Sequence, residues 1–226
     1  MEMEMKIITY SERGLVDSLI YSLDEELTAD LLSKAFPSYK GKKFTDIVFY
    51  LEQSLSEFGS PDLIISFTCD EKKTIIFVEA KVSNQKNWSL MQQYKFYKKN
   101  ADSNFFWQIA LKQLLIDNRD KNISELADKG VESENEHIMH KSHNRKLGKN
   151  PVVSNLYNQV IKNANEVLYL GIIPKKEALV FDGEDKALFE QIHYLTWKEI
   201  EEFANENGLK DLTENFNWNK GLIYND

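Results

Sequence analysis

Cysteine is almost missing. One residue, Cys69, stands in 226, which excludes an internal disulfide and a metal site built from thiolates. Long apolar runs are missing too: no stretch of about 18 apolar residues occurs, so no membrane span is expected. The N-terminus, MEMEMKIITY, carries acids where a secretory signal carries bases, and no apolar block follows. These absences predict an intracellular, cytoplasmic protein. An excess of base is also lacking. Asp and Glu number 36 against 28 Lys and Arg, a formal net charge of -8, which argues against a nonspecific electrostatic coat on duplex nucleic acid. There is no glycine-rich phosphate loop, so a Rossmann or P-loop reading fails. Internal repeats and low-complexity tracts are absent.

What is present is an ordinary globular composition, 42% hydrophobic and 28% charged, in a chain long enough for one full core. A single domain over residues 1–226 is expected. Ser11 followed by ERGLVDSLIYSL reads as a capped helix with Leu15, Leu19 and Leu23 on one stripe. DEELTADLLSKAF reads as a second helix. KFTDIVFYLEQSLSEF has helical spacing and is expected to be a third. DLIISFT and TIIFVEAKV are short and rich in β-branched and aromatic residues, which predicts two strands joined through CDEKK. NWSLMQQYKFYKKN, FFWQIALKQLLI and PVVSNLYNQVIKNA return to helical spacing. A polar segment over 117–150 is expected to be a mobile loop with one short helix. EVLYLGII and ALVF read as strands, EQIHYLTW as a strand running into the helix KEIEEFANENG, and NFNWNKGLIYND as irregular. The order predicts one α/β domain with a mixed sheet.

The stretch SPDLIISFTCDEKKTIIFVEAKVS, residues 60–83, poses a chemical question. Side chains alternate along a strand, so Glu79 and Lys81 share a face while Val78, Ala80 and Val82 take the other. A turn centred on Asp70 and Glu71 sets Asp62 across from Glu79; a four-residue turn sets it across from Lys81. An odd-length turn would pair it with Ala80 instead. Two carboxylates brought together on a half-buried sheet repel one another, and a divalent cation removes that conflict. Hard oxygen ligands suit Mg2+ or Mn2+, and the Ala80 carbonyl could complete the set. A neighbouring lysine could position an attacking water or stabilise charge on a phosphate. The plain alternative is a surface salt bridge on the polar face of an ordinary hairpin.

Pro61-Asp62, a gap, then Glu79-Ala80-Lys81 resembles the motif of the PD-(D/E)XK nuclease superfamily, which has the restriction-endonuclease-like fold. SERGLVDSLI is similar to the first-helix opening of Holliday-junction-resolvase-like members, with Glu12 at the position of their helix glutamate. QYKFY resembles the Q-x-x-x-Y helix of RecB-like members through Gln93 and Tyr97. The resemblance covers residues 12–97. It implies a three-layer core with a mixed central sheet flanked by helices, and metal-dependent hydrolysis of phosphodiester bonds in DNA. It implies catalytic roles for Glu12, Asp62, Glu79 and Lys81, with magnesium or manganese held by Asp62, Glu79, the Ala80 carbonyl and Glu12. Gln93 and Tyr97 would orient the scissile strand or the lysine. Genome defence, repair and mobile-element biology are the settings it suggests. RNA stays open as a substrate, and cutting both strands would favour a homodimer.

Two basic tracts fit a phosphate partner. From Lys81 to Lys99 there are five lysines and no acid, and the resemblance implies that Lys86, Lys95, Lys98 and Lys99 would face the phosphate backbone. From His137 to Lys149 there are four Lys or Arg, three histidines and no acid, with Arg145 and Lys146 as candidate contacts. His137, His140 and His143 are spaced as zinc ligands can be, but no fourth ligand is near. The plain reading of both tracts is a solvated face. A rival from another functional class is a non-catalytic nucleic-acid-binding or assembly protein that keeps the nuclease fold.

Overall fold

A computed structural model describes residues 11–82, 88–99, 104–132 and 144–223. Helix α1 (Glu12–Tyr21) starts where Ser11 Oγ accepts from the Gly14 amide at 2.9 Å. Helix α2 (Glu25–Ala35) starts in the same way, with Asp24 Oδ1 accepting from the Leu27 amide. Both caps satisfy amides that the first helical turn leaves free.

Five strands follow: β1 (Thr45–Leu51), β2 (Leu63–Cys69), β3 (Lys72–Ala80), β4 (Glu166–Ile173) and β5 (Ile192–Thr196). Their spatial order is their chain order. The first three form an antiparallel meander, and β4 and β5 run parallel to β3. A parallel step needs a long crossover. From β3 to β4 it contains α3 (Leu90–Lys98), α4 (Phe105–Asp117), α5 (Ile123–Asp128) and α6 (Pro151–Leu156), the last running into a π turn at Tyr157–Ile161. The short α7 (Lys186–Phe189) precedes β5. Helix α8 (Trp197–Glu206) follows it through a capping box between Thr196 and Glu199, and α9 (Lys210–Ile223) closes the described chain.

Strand alternation divides the apolar residues between two cores. Ile64, Ile75, Phe77 and Tyr169 pack with side chains of α3, α4 and α6. Leu63, Ile65, Ile76, Val78 and Leu170 pack with α1, α2, α8 and α9. The molecule is therefore a helix–sheet–helix α/β structure, compatible with the three layers expected. Among the described residues no helix is long and apolar enough to cross a membrane.

Three expectations need correction. The segment KFTDIVFYLEQSLSEF is not a helix: residues 45–51 are the edge strand β1, and only Ser56–Phe58 makes a helical turn. Phe44, Ile47, Leu51, Leu55 and Phe58 do recur at helical spacing. However, Asp46, Glu52 and Ser56 have φ of 53, 45 and 58°, which breaks any helix, and pairing with β2 rewards the β-branched run. ALVF is not a strand, because β5 already occupies the free edge of β4. Phe181 instead enters an aromatic cluster with Tyr94, Phe106 and Phe189. The tail is helix α9. Its buried stripe is Leu212, Asn215, Phe216, Asn219 and Ile223, and the two asparagines hide the period. Their amides bond back to the carbonyls of Asp211 and Asn215, four residues earlier.

Within the polar 117–150 segment, α5 is the expected short helix. Leu126, Val131 and Leu147 are buried, and Val131 bridges to Arg145. Residues 133–143, with the three histidines of the candidate zinc set, lie outside the described residues, as does Lys86.

Candidate active site

The hairpin between β2 and β3 turns on two residues. Cys69 pairs with Lys72, and Asp70 and Glu71 both have positive φ, 48 and 63°. Such turns match the right-handed twist of paired strands. The two-residue turn sets the register through to the pair Leu63 and Val78, so Asp62 lies opposite Glu79. Glu79 is in turn paired with Gly171 of β4, and Gly171 with Tyr194 of β5. One row across the sheet thus carries Asp62, Glu79, Gly171 and Tyr194 on the face of α3 and α4. A Cβ at Gly171 would stand 2.8 Å from both Phe105 Cζ and Tyr194 Cδ1; the glycine leaves room for two rings beside Glu79.

The row ends in a polar cluster at the C-terminal end of β3. Asp62 Oδ2 accepts from the Ala80 amide at 2.7 Å, where the strand ladder stops. Glu12, the first residue of α1, reaches over from the other helical layer. Its Oε2 accepts from the Val82 amide at 2.9 Å and its Oε1 lies 3.2 Å from Lys81 Nζ. The same ammonium donates to the Ala80 carbonyl and lies 3.7 Å from Asp62 Oδ2. The Lys81 backbone is pinned on both sides: its amide donates to Ile172 O at 2.8 Å, and its carbonyl accepts from Trp197 Nε1 at 2.9 Å.

Glu79 takes a different partner. Its Oε1 lies 2.8 Å from Nζ of Lys112 on α4, in a pair whose side chains are 3% and 0% exposed. The alignment is poor for a hydrogen bond at that oxygen, so the contact is an ion pair. Lys112 also donates to Gln108 Oε1 at 2.6 Å. Neither residue was a sequence candidate, yet a signal existed. Phe105, Ile109, Lys112 and Leu115 form one helical stripe, and a lysine on an otherwise apolar stripe must find a buried acid.

These surroundings shift the ionisable groups. Burial pushes the Glu12 carboxyl above its usual range, against the pull of Lys81. Burial also raises Glu79, partly opposed by Lys112. Lys81 loses some affinity for its proton through burial, but Asp62, Glu79 and Glu12 outweigh that and raise it.

The remaining candidates are not drawn into the cluster. Gln93 Oε1 accepts from the Phe105 amide and so caps α4. Tyr97 is buried, and its hydroxyl donates to Asp185 Oδ2 at 2.5 Å, tying α3 to α7. Lys98 is paired with Asp182, while Lys95 and Lys99 are exposed. Arg145 lies over the Trp107 ring. Lys146 is exposed and its amide donates to Glu57 Oε2, beside the loop that leads to Asp62.

Comparison with family models, curated proteins and solved structures returns no match. The site therefore stands on its own geometry. Among the described residues no three His, Cys, Asp or Glu side chains converge on one point fit for a metal ion. Two carboxylates and a carbonyl converge instead on the Lys81 ammonium. Those donors are all oxygen, the set that suits a hard divalent cation.

Proposed function

We propose that the chain is a metal-dependent nuclease that hydrolyses phosphodiester bonds in DNA. The observation that carries this reading is the gathering of Glu12, Asp62 and the Ala80 carbonyl around Lys81 Nζ at the end of β3. These three oxygen donors would hold Mg2+ or Mn2+, with Glu79 adding charge from beneath. When bound, the metal would acidify a water and polarise the phosphorus–oxygen bond. Lys81 would then orient that water or meet the charge developing on the phosphate. Lys95, exposed on α3, and Lys99, exposed at its C-cap, would face the backbone of the substrate.

The resemblance to the PD-(D/E)XK superfamily supports the reading, and the register of the hairpin agrees with it. The expected outcome is cleavage of plasmid or single-stranded DNA with Mg2+ or Mn2+, none with EDTA, and a loss of about 10²–10³ in rate for Lys81→Ala. Cleavage that persists in EDTA or in the variant would overturn the mechanism.

One observation favours a second reading, a non-catalytic nucleic-acid-binding protein on the same fold. Glu79 is sealed against Lys112 rather than presented to solvent. That reading predicts DNA binding with no metal requirement and no cleavage.

A further inference from the structure

We propose that Lys81 is a resident counter-ion that a divalent cation displaces, so that metal binding itself releases the lysine toward substrate. This rests on the nuclease reading and adds an exchange step to it. Three observations lead there. Nζ sits among three of the oxygens that would bind metal, those of Glu12, Asp62 and Ala80. Those oxygens do not depend on the lysine for their placement. Glu12 is anchored by the Val82 amide, Asp62 by the Ala80 amide, and the Ala80 carbonyl belongs to the strand itself. The lysine backbone is likewise fixed by Ile172 and Trp197.

The cradle therefore keeps its shape when the ammonium leaves, and only a flexible four-carbon stem has to swing. The side chain is 22% exposed, so it has a route to solvent. Lys112 has none, being fully buried on the far side of Glu79. A divalent cation carries twice the charge of the ammonium and gathers more oxygens, so it wins the shared donors once its concentration suffices. The exchange is reciprocal: whatever holds Lys81 in place weakens the metal, and the metal weakens the hold on Lys81.

Two measurements on the full chain test this, with MnCl2 as probe. The first is the reaction of Lys81 with an amine-acylating reagent, read by peptide mapping with exposed Lys40 as internal reference. Mn2+ should raise the Lys81 rate several-fold relative to Lys40. The second is Mn2+ affinity by calorimetry. Lys81→Met should bind Mn2+ about tenfold more tightly, or 1.4 kcal/mol, while losing cleavage. A Lys81 reaction rate that Mn2+ leaves unchanged or lowers, or a Lys81→Met affinity equal to or weaker than wild type, overturns the exchange. If those results come with Mn2+-dependent cleavage by the wild type, the nuclease reading survives. If the wild type binds no Mn2+, or binds it equally well as Asp62→Ala, both proposals fall.

Discussion

Lys112 and Lys81 both meet carboxylates at the end of β3, but in unlike surroundings. The Lys112–Glu79 pair is closed, with a separation of 2.8 Å and almost no exposure. The Lys81 cluster is open, with Glu12 at 3.2 Å, Asp62 at 3.7 Å and about a quarter of each side chain in reach of water. A closed pair is held by the absence of alternatives: water cannot replace either partner, so losing one strands a charge. An open cluster is held by competition, because water or a cation can take the place of either partner. Chemistry that requires ligand exchange belongs to the second kind of site. The first kind fixes the sheet and α4 beneath it.

The largest expected effect would break the comparison on its closed side. Lys112→Met should lower stability by about 3–5 kcal/mol in urea titration, because it leaves Glu79 buried and unpaired. The double variant Glu79→Gln/Lys112→Met should recover most of that loss, since no charge then remains buried. A single-variant loss below about 1 kcal/mol would mean that the pair behaves like a surface salt bridge.

A second substitution sharpens the contrast by disturbing only the row beside Glu79. Gly171→Ala puts a methyl 2.8 Å from Phe105 and Tyr194, and overpacking of this kind should cost about 1–3 kcal/mol. Thermal unfolding would report it, while Mn2+ affinity at the open cluster should stay within about twofold if the two sides are independent.

The smallest effect concerns the pH dependence of the open side. Burial raises the Glu12 carboxyl in the fold, so the native state holds that proton more tightly than the unfolded chain does. Its contribution to stability is greatest below the ordinary carboxylate range and declines as pH rises through it. The melting temperature of Glu12→Gln relative to wild type should therefore rise between about pH 4 and about pH 7, by no more than ~2–4 °C. A relative melting temperature that falls over that range would show that Lys81 outweighs burial at Glu12.

Several parts of the site could be read before any coordinates. Ser11 and Glu12 announce a helix start by cap chemistry, which is local. The hairpin register could be narrowed but not fixed: either even-length turn puts Asp62 on the face of Glu79 and Lys81, and the choice of the two-residue turn was made by the fold. The edge strand β1 could not be recognised, because its apolar residues also satisfy a helical period. Only pairing with β2 and the left-handed residues Asp46, Glu52 and Ser56 decide between the two. Helix α9 was hidden for the opposite reason: Asn215 and Asn219 occupy buried stripe positions that apolar residues usually mark. Gln93 and Tyr97 were visible as a spaced pair, but their partners, the Phe105 amide and Asp185, are set by how α3 docks.

The chain alone determined that Glu79 and Lys81 share one face at the end of β3, through the alternation of TIIFVEAK; the fold chose the two-residue turn at Asp70 and Glu71 that sets Asp62 opposite Glu79. Tertiary structure alone decided how those charges are shared. Glu12 meets Lys81 across 69 residues, and Lys112 comes from a helix in the opposite layer. The physical reason is range: strand periodicity and turn geometry act between neighbours, whereas burial and ion pairing depend on which distant surfaces are pressed together.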